Sequence, residues 1–174
     1  MSDKVAEVPE PWLRGTLREV PSVARGVLHA LELAGEDLRR WCGLLSDEQL
    51  NRRPAQIPSV AFHLRHISRS LDRLLTYAEG GSSSEEQLAA LRSEGTSGAT
   101  RDELFDELSA ALALSTRRVR SFSHADLEAP RSVGRGKLPT TLGGLLVHIA
   151  DHTQRHVGQA ITTAKIVAGQ ERAR

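Results

Sequence analysis

Apolar residues recur at three- and four-residue spacings in four long stretches of the chain, which is the period of an amphipathic α-helix. These stretches run from about Ser22 to Trp41, from about Ser59 to Ala78, from Thr100 to about Phe122, and from Pro139-Thr140 to about Val167. Segments with glycine or proline separate them, as expected where one helix ends and another begins. Four long amphipathic helices with short connectors predict an all-α fold, specifically a four-helix bundle.

Weaker signals between the long helices predict the short elements. Residues 46–49 (Ser-Asp-Glu-Gln) and 100–103 (Thr-Arg-Asp-Glu) have the pattern of a capping box, in which the first and fourth residues satisfy free backbone N–H groups. A further short helix is predicted from Ser84 to Arg92. Residues 124–139 contain two prolines, two glycines and several basic residues. We interpret that segment as a basic loop and not as a pair of strands.

The two ends of the chain are predicted to lie outside the bundle. Residues 1–20 are interpreted as an N-terminal tail, mobile to about Glu10, in which Pro11-Trp12-Leu13 anchors the chain by laying an aromatic ring on the body. Residues 169–174 are interpreted as a C-terminal tail. Residues 21–168 are then the bundle domain.

The composition restricts the class of partner. The chain has 174 residues, enough for one domain with its own core, and a net charge of +1. A nearly neutral chain with few aromatic residues argues against nucleic acids and membrane surfaces as partners. The single cysteine, Cys42, rules out an internal disulfide, and we find no secretory signal and no apolar run that could span a bilayer. We therefore expect a cytoplasmic protein in which Cys42 is a small buried residue.

Five of the seven histidines fall into two clusters, one on the second and one on the fourth predicted long helix. His63 and His66 form the first cluster, and His148, His152 and His156 recur at every fourth residue in the second. Residues four apart lie on one face of a helix, so an i, i+4 histidine pair can bind one metal ion. The histidines also border the apolar stripes of their helices, where a site between packed helices would lie.

A site with an open coordination position needs a third protein ligand, and either His63 or His66 could provide it. Three neutral imidazoles suit zinc, nickel, copper, cobalt or iron, and they do not suit magnesium or calcium. The Glu-x-x-His pairs of di-iron bundles and the His-Glu-x-x-His motif of zincins are both absent. Histidines at a helix edge are also often half-buried polar residues, and spacing alone leaves both interpretations open. His29 has no histidine neighbour and is expected to be hydrogen-bonded or exposed.

Two segments together resemble the DinB-like superfamily (DinB/YfiT type). They are Ser59-Val-Ala-Phe-His-Leu-Arg-His66-Ile and His148-Ile-Ala-Asp-His152-Thr-Gln-Arg-His156-Val-Gly-Gln159, and the resemblance covers roughly residues 20–168. Members of this superfamily are four-helix bundles, often homodimeric, that bind one divalent transition metal through three histidines. The resemblance therefore implies a metal-binding bundle and a homodimer.

The resemblance also implies a ligand set, His66, His152 and His156. With that ligand set His63, His148 and Gln159 lie beside the site, where they could orient a ligand or a bound water or could simply be polar residues that fill space. A rival assignment uses His148 with His152 and leaves His156 out. No catalytic residue is assigned at this stage.

The resemblance implies an activity as well, since known relatives include mycothiol-dependent maleylpyruvate isomerase and bacillithiol S-transferases. We expect a thiol-dependent S-transferase or isomerase acting on a small electrophile, with zinc, or else nickel or another metal, and a low-molecular-weight thiol as cofactors. Arg73, Arg155 or the basic loop around Arg135 are candidates for holding an anionic part of a small-molecule substrate. The alternatives are a metal-dependent hydrolase, with His63 or His148 as general acid or base, and a non-catalytic metal-binding stress-response module.

Overall fold

The computed structural model describes residues 8–172, with side chains described as far as Gln170. Residues 1–7, which make up most of the predicted mobile tail, lie outside the described residues, as do the last two residues of the predicted C-terminal tail.

Within the described residues the chain forms six α-helices and two short β-strands, which confirms the predicted all-α class. The helices are α1 (Ser22–Cys42), α2 (Asp47–Asn51), α3 (Val60–Ala78), α4 (Glu85–Arg92), α5 (Arg101–Ser121) and α6 (Leu142–Arg172). The strands are β1 (Pro130–Val133) and β2 (Leu138–Thr141). The four predicted long helices correspond to α1, α3, α5 and α6. The last of them continues to Arg172, past its predicted end near Val167.

The four long helices pack as a closed ring of neighbours. Helices α1 and α3 each contact both α5 and α6, so their apolar faces enclose one common core. That core is built almost entirely from aliphatic side chains, and its largest fully buried members are leucines and isoleucines: Leu31, Leu38, Leu50, Leu64, Ile67, Leu71, Leu75, Leu104, Leu108, Leu142, Leu146 and Ile149. Burial of these side chains is the main favourable contribution to folding.

Side-chain caps mark the beginnings of α2, α3, α4 and α5. Both predicted capping boxes are present, at Ser46 with Gln49 and at Thr100 with Glu103, and a third begins α4 at Ser84. Ser59 caps α3, since its Oγ accepts a hydrogen bond from the backbone N–H of Phe62 at 3.1 Å. This cap fixes the start of the helix that carries the first histidine cluster.

The segment that we interpreted as a basic loop contains an antiparallel hairpin, so that interpretation was wrong. Strands β1 and β2 pair from Pro130 opposite Thr141 to Val133 opposite Leu138. A strand in a two-stranded sheet has one open edge, where a proline that lacks an N–H is tolerated. The prolines that argued against strands are therefore compatible with this hairpin. The basic residues lie on the hairpin and its turn.

The N-terminal segment is anchored differently from the prediction. Pro11 is buried, while the side chain of Trp12 is 62% exposed, so the aromatic ring does not lie on the body. The anchor is instead Arg14, whose Nη1 and Nη2 each donate to the carboxylate of Glu36 on α1 at 2.7 Å.

Two isolated residues occupy the environments expected of them. Cys42 is fully buried at the end of α1, and this burial raises the pKa of its thiol to about 12. His29 is buried and its Nε2 lies 3.2 Å from Thr16 Oγ1. Over the range 8–172, no helix combines enough length with enough apolar character to cross a bilayer.

Candidate metal centre

Three imidazoles from two neighbouring helices converge at one point of the bundle. His66 lies on α3, and His152 and His156 lie one turn apart on α6. One nitrogen from each ring can be chosen so that all three atoms lie within 4.8 Å of one another. Because α3 and α6 pack directly together, the three rings can hold one metal ion. These are the residues that the resemblance implied as ligands.

The hydrogen bonds of His66 decide which of its nitrogens faces the other two rings. Its Nδ1 lies 2.7 Å from Oε2 of Glu94, while its Nε2 lies 3.3 Å from Nε2 of His152. The ring centroid of His66 is 4.2 Å from that of His156. Nε2 of His66 is therefore the nitrogen directed toward a shared ion.

Glu94 is the residue of this site that the sequence analysis missed. It is 3% exposed, and its second oxygen, Oε1, accepts a hydrogen bond from Arg73 Nη1 at 2.9 Å. Burial raises the pKa of this carboxyl, but the hydrogen bonds from His66 and Arg73 outweigh it and hold the pKa below its usual range. Glu94 is thus an ionised acceptor that fixes both the ring orientation and the proton position of His66.

No signal in the sequence marks Glu94, since it follows α4 in a connector and lies 28 positions from His66. Arg73, one of the candidates for holding a substrate anion, is 9% exposed and paired with this carboxylate. Arg73 therefore supports the site indirectly, through its ion pair with Glu94. Arg135 is exposed in the turn of the hairpin, whereas Arg155 lies on α6 next to His156.

His63 contacts the ring of His156 in a comparable way. Its side chain is 2% exposed, and its Nδ1 lies 3.1 Å from Nδ1 of His156. This contact leaves Nε2 of His156 as the nitrogen free to bind a metal. The sequence analysis placed His63 beside the site, either as an orienting residue or as a polar residue that fills space, and this contact is the kind that an orienting role requires.

The other two neighbouring candidates are further out. His148 is exposed, with its ring centroid 5.4 Å from that of His152 and its Nδ1 3.8 Å from Asp151. Gln159 is also exposed and lines a cleft that it shares with His63. Among the described residues, the rival ligand pair of His148 and His152 belongs to no group of three that converges on a metal-sized space.

The electrostatics of the two rings on α6 suit a transition metal. Burial, followed by repulsion from neighbouring imidazoles, lowers the pKa of His152 and that of His156 to about 4. These two rings are thus neutral at pH 7, the form that binds metal. Nδ1 of His152 is buried and finds no hydrogen-bond partner in the described part of the chain. A donor set of imidazole nitrogens fits zinc, nickel and their neighbours and does not fit magnesium or calcium.

The fold and the site define the class of this protein, a four-helix bundle with a histidine triad that can hold a metal ion between two of its helices. The chain belongs to the DinB superfamily, whose family model matches residues 30–160. The resemblance inferred from the two histidine segments is therefore confirmed.

A solved structure supports the same fold. A conserved protein from Enterococcus faecalis superposes with a TM-score of 0.71 at 20% sequence identity, over 86% of this chain and 99% of the other. A comparison with curated proteins finds no match. At this level of identity the similarity carries the fold and nothing further.

Proposed function

We propose that this protein is a metal-dependent enzyme in which His66, His152 and His156 bind one divalent transition metal, zinc in the first place and nickel as the alternative. The observation that carries the proposal is the convergence of three ring nitrogens within 4.8 Å of one another. Three protein ligands leave a further position on a tetrahedral ion, which is the arrangement of catalytic and not of structural zinc sites.

The reaction that we propose is thiol-dependent S-transfer or isomerisation of a small electrophile. The metal would supply Lewis acidity and keep a low-molecular-weight thiol in its thiolate form near neutral pH. The chain's own residues position that chemistry, because Glu94 holds the ring of His66 and His63 holds the ring of His156. Membership of the DinB superfamily supports the thiol part of the proposal.

The domain bounds, the cellular location and the partners of the protein belong to the same proposal. The functional unit is the bundle domain, residues 21–168, with the end of α6, which continues to Arg172 where a tail was predicted. It acts in the cytoplasm as a homodimer on a small-molecule substrate, without a nucleic acid or membrane partner. Support comes from the family resemblance, the near-neutral charge and the single buried cysteine.

The ligand assignment is tested by replacing each triad histidine with alanine, in protein purified without a metal-affinity tag. We expect each of the three variants to lose most of its bound metal in elemental analysis, since two imidazoles bind far more weakly than three. The matched control is His124→Ala, because His124 is exposed and lies outside the site. Full metal content in all three triad variants would reject the assignment.

The reaction class is tested by incubating the metal-loaded protein with a panel of low-molecular-weight thiols and a small electrophile. We expect consumption of thiol that stops when a chelator removes the metal. Hydrolysis of esters or amides without added thiol would favour the hydrolase alternative, with His63 or His148 as acid or base. Metal binding with neither activity would favour the non-catalytic stress-response module.

A further inference from the structure

A cleft of about 530 Å³ opens next to the triad, on the side of His63. Its walls are the segment before α3, with Ile57 and Pro58, and the outer face of α6 from Arg155 to Thr163. The volume lies in the range of small-molecule sites. A cleft of about 600 Å³ beside Trp41 is larger, but it lies toward the C-terminal end of α6 and is lined by neither His63 nor Arg155.

The cleft contains one cation with spare hydrogen-bonding capacity. Arg155 Nη2 donates to Asp151 at 2.6 Å, and both side chains are more than half exposed, so this pair contributes little to stability. Among the described residues the guanidinium makes no other hydrogen bond. Its Nε and Nη1 still have N–H groups that can donate to a second anion, and a guanidinium is a strong partner for a carboxylate.

Helix α6 also has a residue without a side chain, Gly158, where it lines this cleft. Gly158 lies inside α6, where glycine is less favourable than alanine. A Cβ added at this position would meet no atom within 4 Å. The missing side chain widens the cleft between Arg155 and the apolar wall of Ile57 and Pro58.

We propose that this cleft binds a small organic carboxylate, with its charge on Arg155 and its apolar body against Ile57 and Pro58. The inference rests on the proposed function, since it makes the cleft the substrate pocket of the metal centre. A carboxylate bound in the cleft contacts His63, and His63 contacts the ring of His156, one of the three proposed metal ligands. Of the basic residues considered as anion holders, Arg155 is the one that borders the site with donors to spare.

The experiment is an NMR titration of the ¹⁵N-labelled, zinc-loaded full chain with benzoate, and in parallel with benzamide, its neutral analogue. We expect benzoate to bind at least tenfold more tightly and to shift the backbone amide signals of Gly158 and Gln159. Arg155→Gln should remove the preference for benzoate, whereas Arg155→Lys should retain part of it. Arg117→Gln is the matched control, because Arg117 is exposed on α5, and it should leave both affinities unchanged.

A second variant tests the shape of the cleft independently of its charge. Gly158→Leu should weaken both probes, because the leucine side chain occupies the cleft. Gly169→Leu places the same side chain on the same helix, also in open space, and should have no effect. Equal affinities for benzoate and benzamide, or a preference that survives Arg155→Gln, would overturn the proposal.

Repeating the titration on metal-free protein separates this inference from the proposed function. Benzoate binding that depends on Arg155 in both forms supports the anion site, whatever thiol or metal chemistry is found. Zinc binding and thiol turnover in a protein that shows no preference for benzoate would leave the proposed function standing and reject the anion site alone.

Discussion

Two of the three triad rings are held by a residue that lies outside the triad. Nδ1 of His66 bonds to Glu94, and Nδ1 of His156 meets His63. Such contacts fix which nitrogen faces the metal and how basic the ring is. The affinity of the proposed site for metal is therefore expected to depend on Glu94 and His63 as well as on the triad.

Glu94→Gln is predicted to lower the affinity for zinc by roughly 10–100-fold without unfolding the protein. The amide keeps the shape of the carboxylate but loses the charge that holds the proton on His66 Nδ1 and balances Arg73. Competition with a chelator of known affinity measures the change. Glu107→Gln is the control, because Glu107 also pairs with an arginine of α3, Arg69, away from the triad. Equal zinc affinity in the Glu94 variant would contradict the role.

The triad could be predicted from the sequence, whereas only some of the contacts that support it could be predicted. An i, i+4 spacing on a helix places His152 and His156 on one face whatever the rest of the fold does. The third ligand could not be chosen between His63 and His66 by spacing, because both border the same apolar stripe. Glu94 reaches His66 only through the path of an irregular connector, and no periodic pattern predicts such a path.

At the scale of elements, one arginine links two of the long helices. Arg118 on α5 donates to Asp72 at 2.7 Å and to both oxygens of Glu79 at 2.7 and 2.8 Å. The Arg118 side chain is 16% exposed, while both acidic side chains are more than two-fifths exposed. The contribution of these ion pairs to stability is therefore greater than that of a surface pair and smaller than that of a buried network.

Arg118→Met is predicted to lower the free energy of unfolding by about 1–2 kcal/mol, since it removes these bonds and keeps most of the apolar stem. Urea unfolding followed by circular dichroism measures the change. The neighbouring Arg117→Met is the control, because Arg117 is exposed on the same helix. Equal destabilisation by the two substitutions would show that the link to α3 contributes nothing specific.

The elements themselves were predictable to the extent that they are periodic. The long helices repeat an apolar stripe over five or more turns, so their existence follows from local pattern. The hairpin between α5 and α6 has only four residues in each strand and is held by backbone pairing, which leaves little trace in side-chain pattern. Its second strand, Leu138–Thr141, also explains why α6 begins at Leu142 and not at the predicted Pro139-Thr140.

At the scale of the whole molecule, the triad joins two helices that are far apart along the chain. His66 and His152 are separated by 86 positions, so the unfolded chain does not hold their rings together. An ion that binds all three rings therefore binds the folded state in preference and stabilises it by mass action.

Zinc at about 100 times its Kd is predicted to stabilise the fold by about 2.7 kcal/mol, which corresponds to a rise in Tm of about 5–10 °C for a domain of this size. Calorimetry with zinc and with excess chelator measures the difference. The rise should vanish in His66→Ala and persist in His124→Ala. If zinc leaves the Tm of the unaltered protein unchanged, that result would argue against a site shared between α3 and α6.

The burial of Cys42 has a practical consequence for following thiol chemistry. Its sulfur is inaccessible and, with a pKa near 12, remains protonated at neutral pH, so it is a poor nucleophile toward disulfide reagents. A chromogenic disulfide such as Ellman's reagent should therefore count free small thiols in an assay with almost no background from the protein. Slow colour development in protein alone would then report how often the end of the first helix opens.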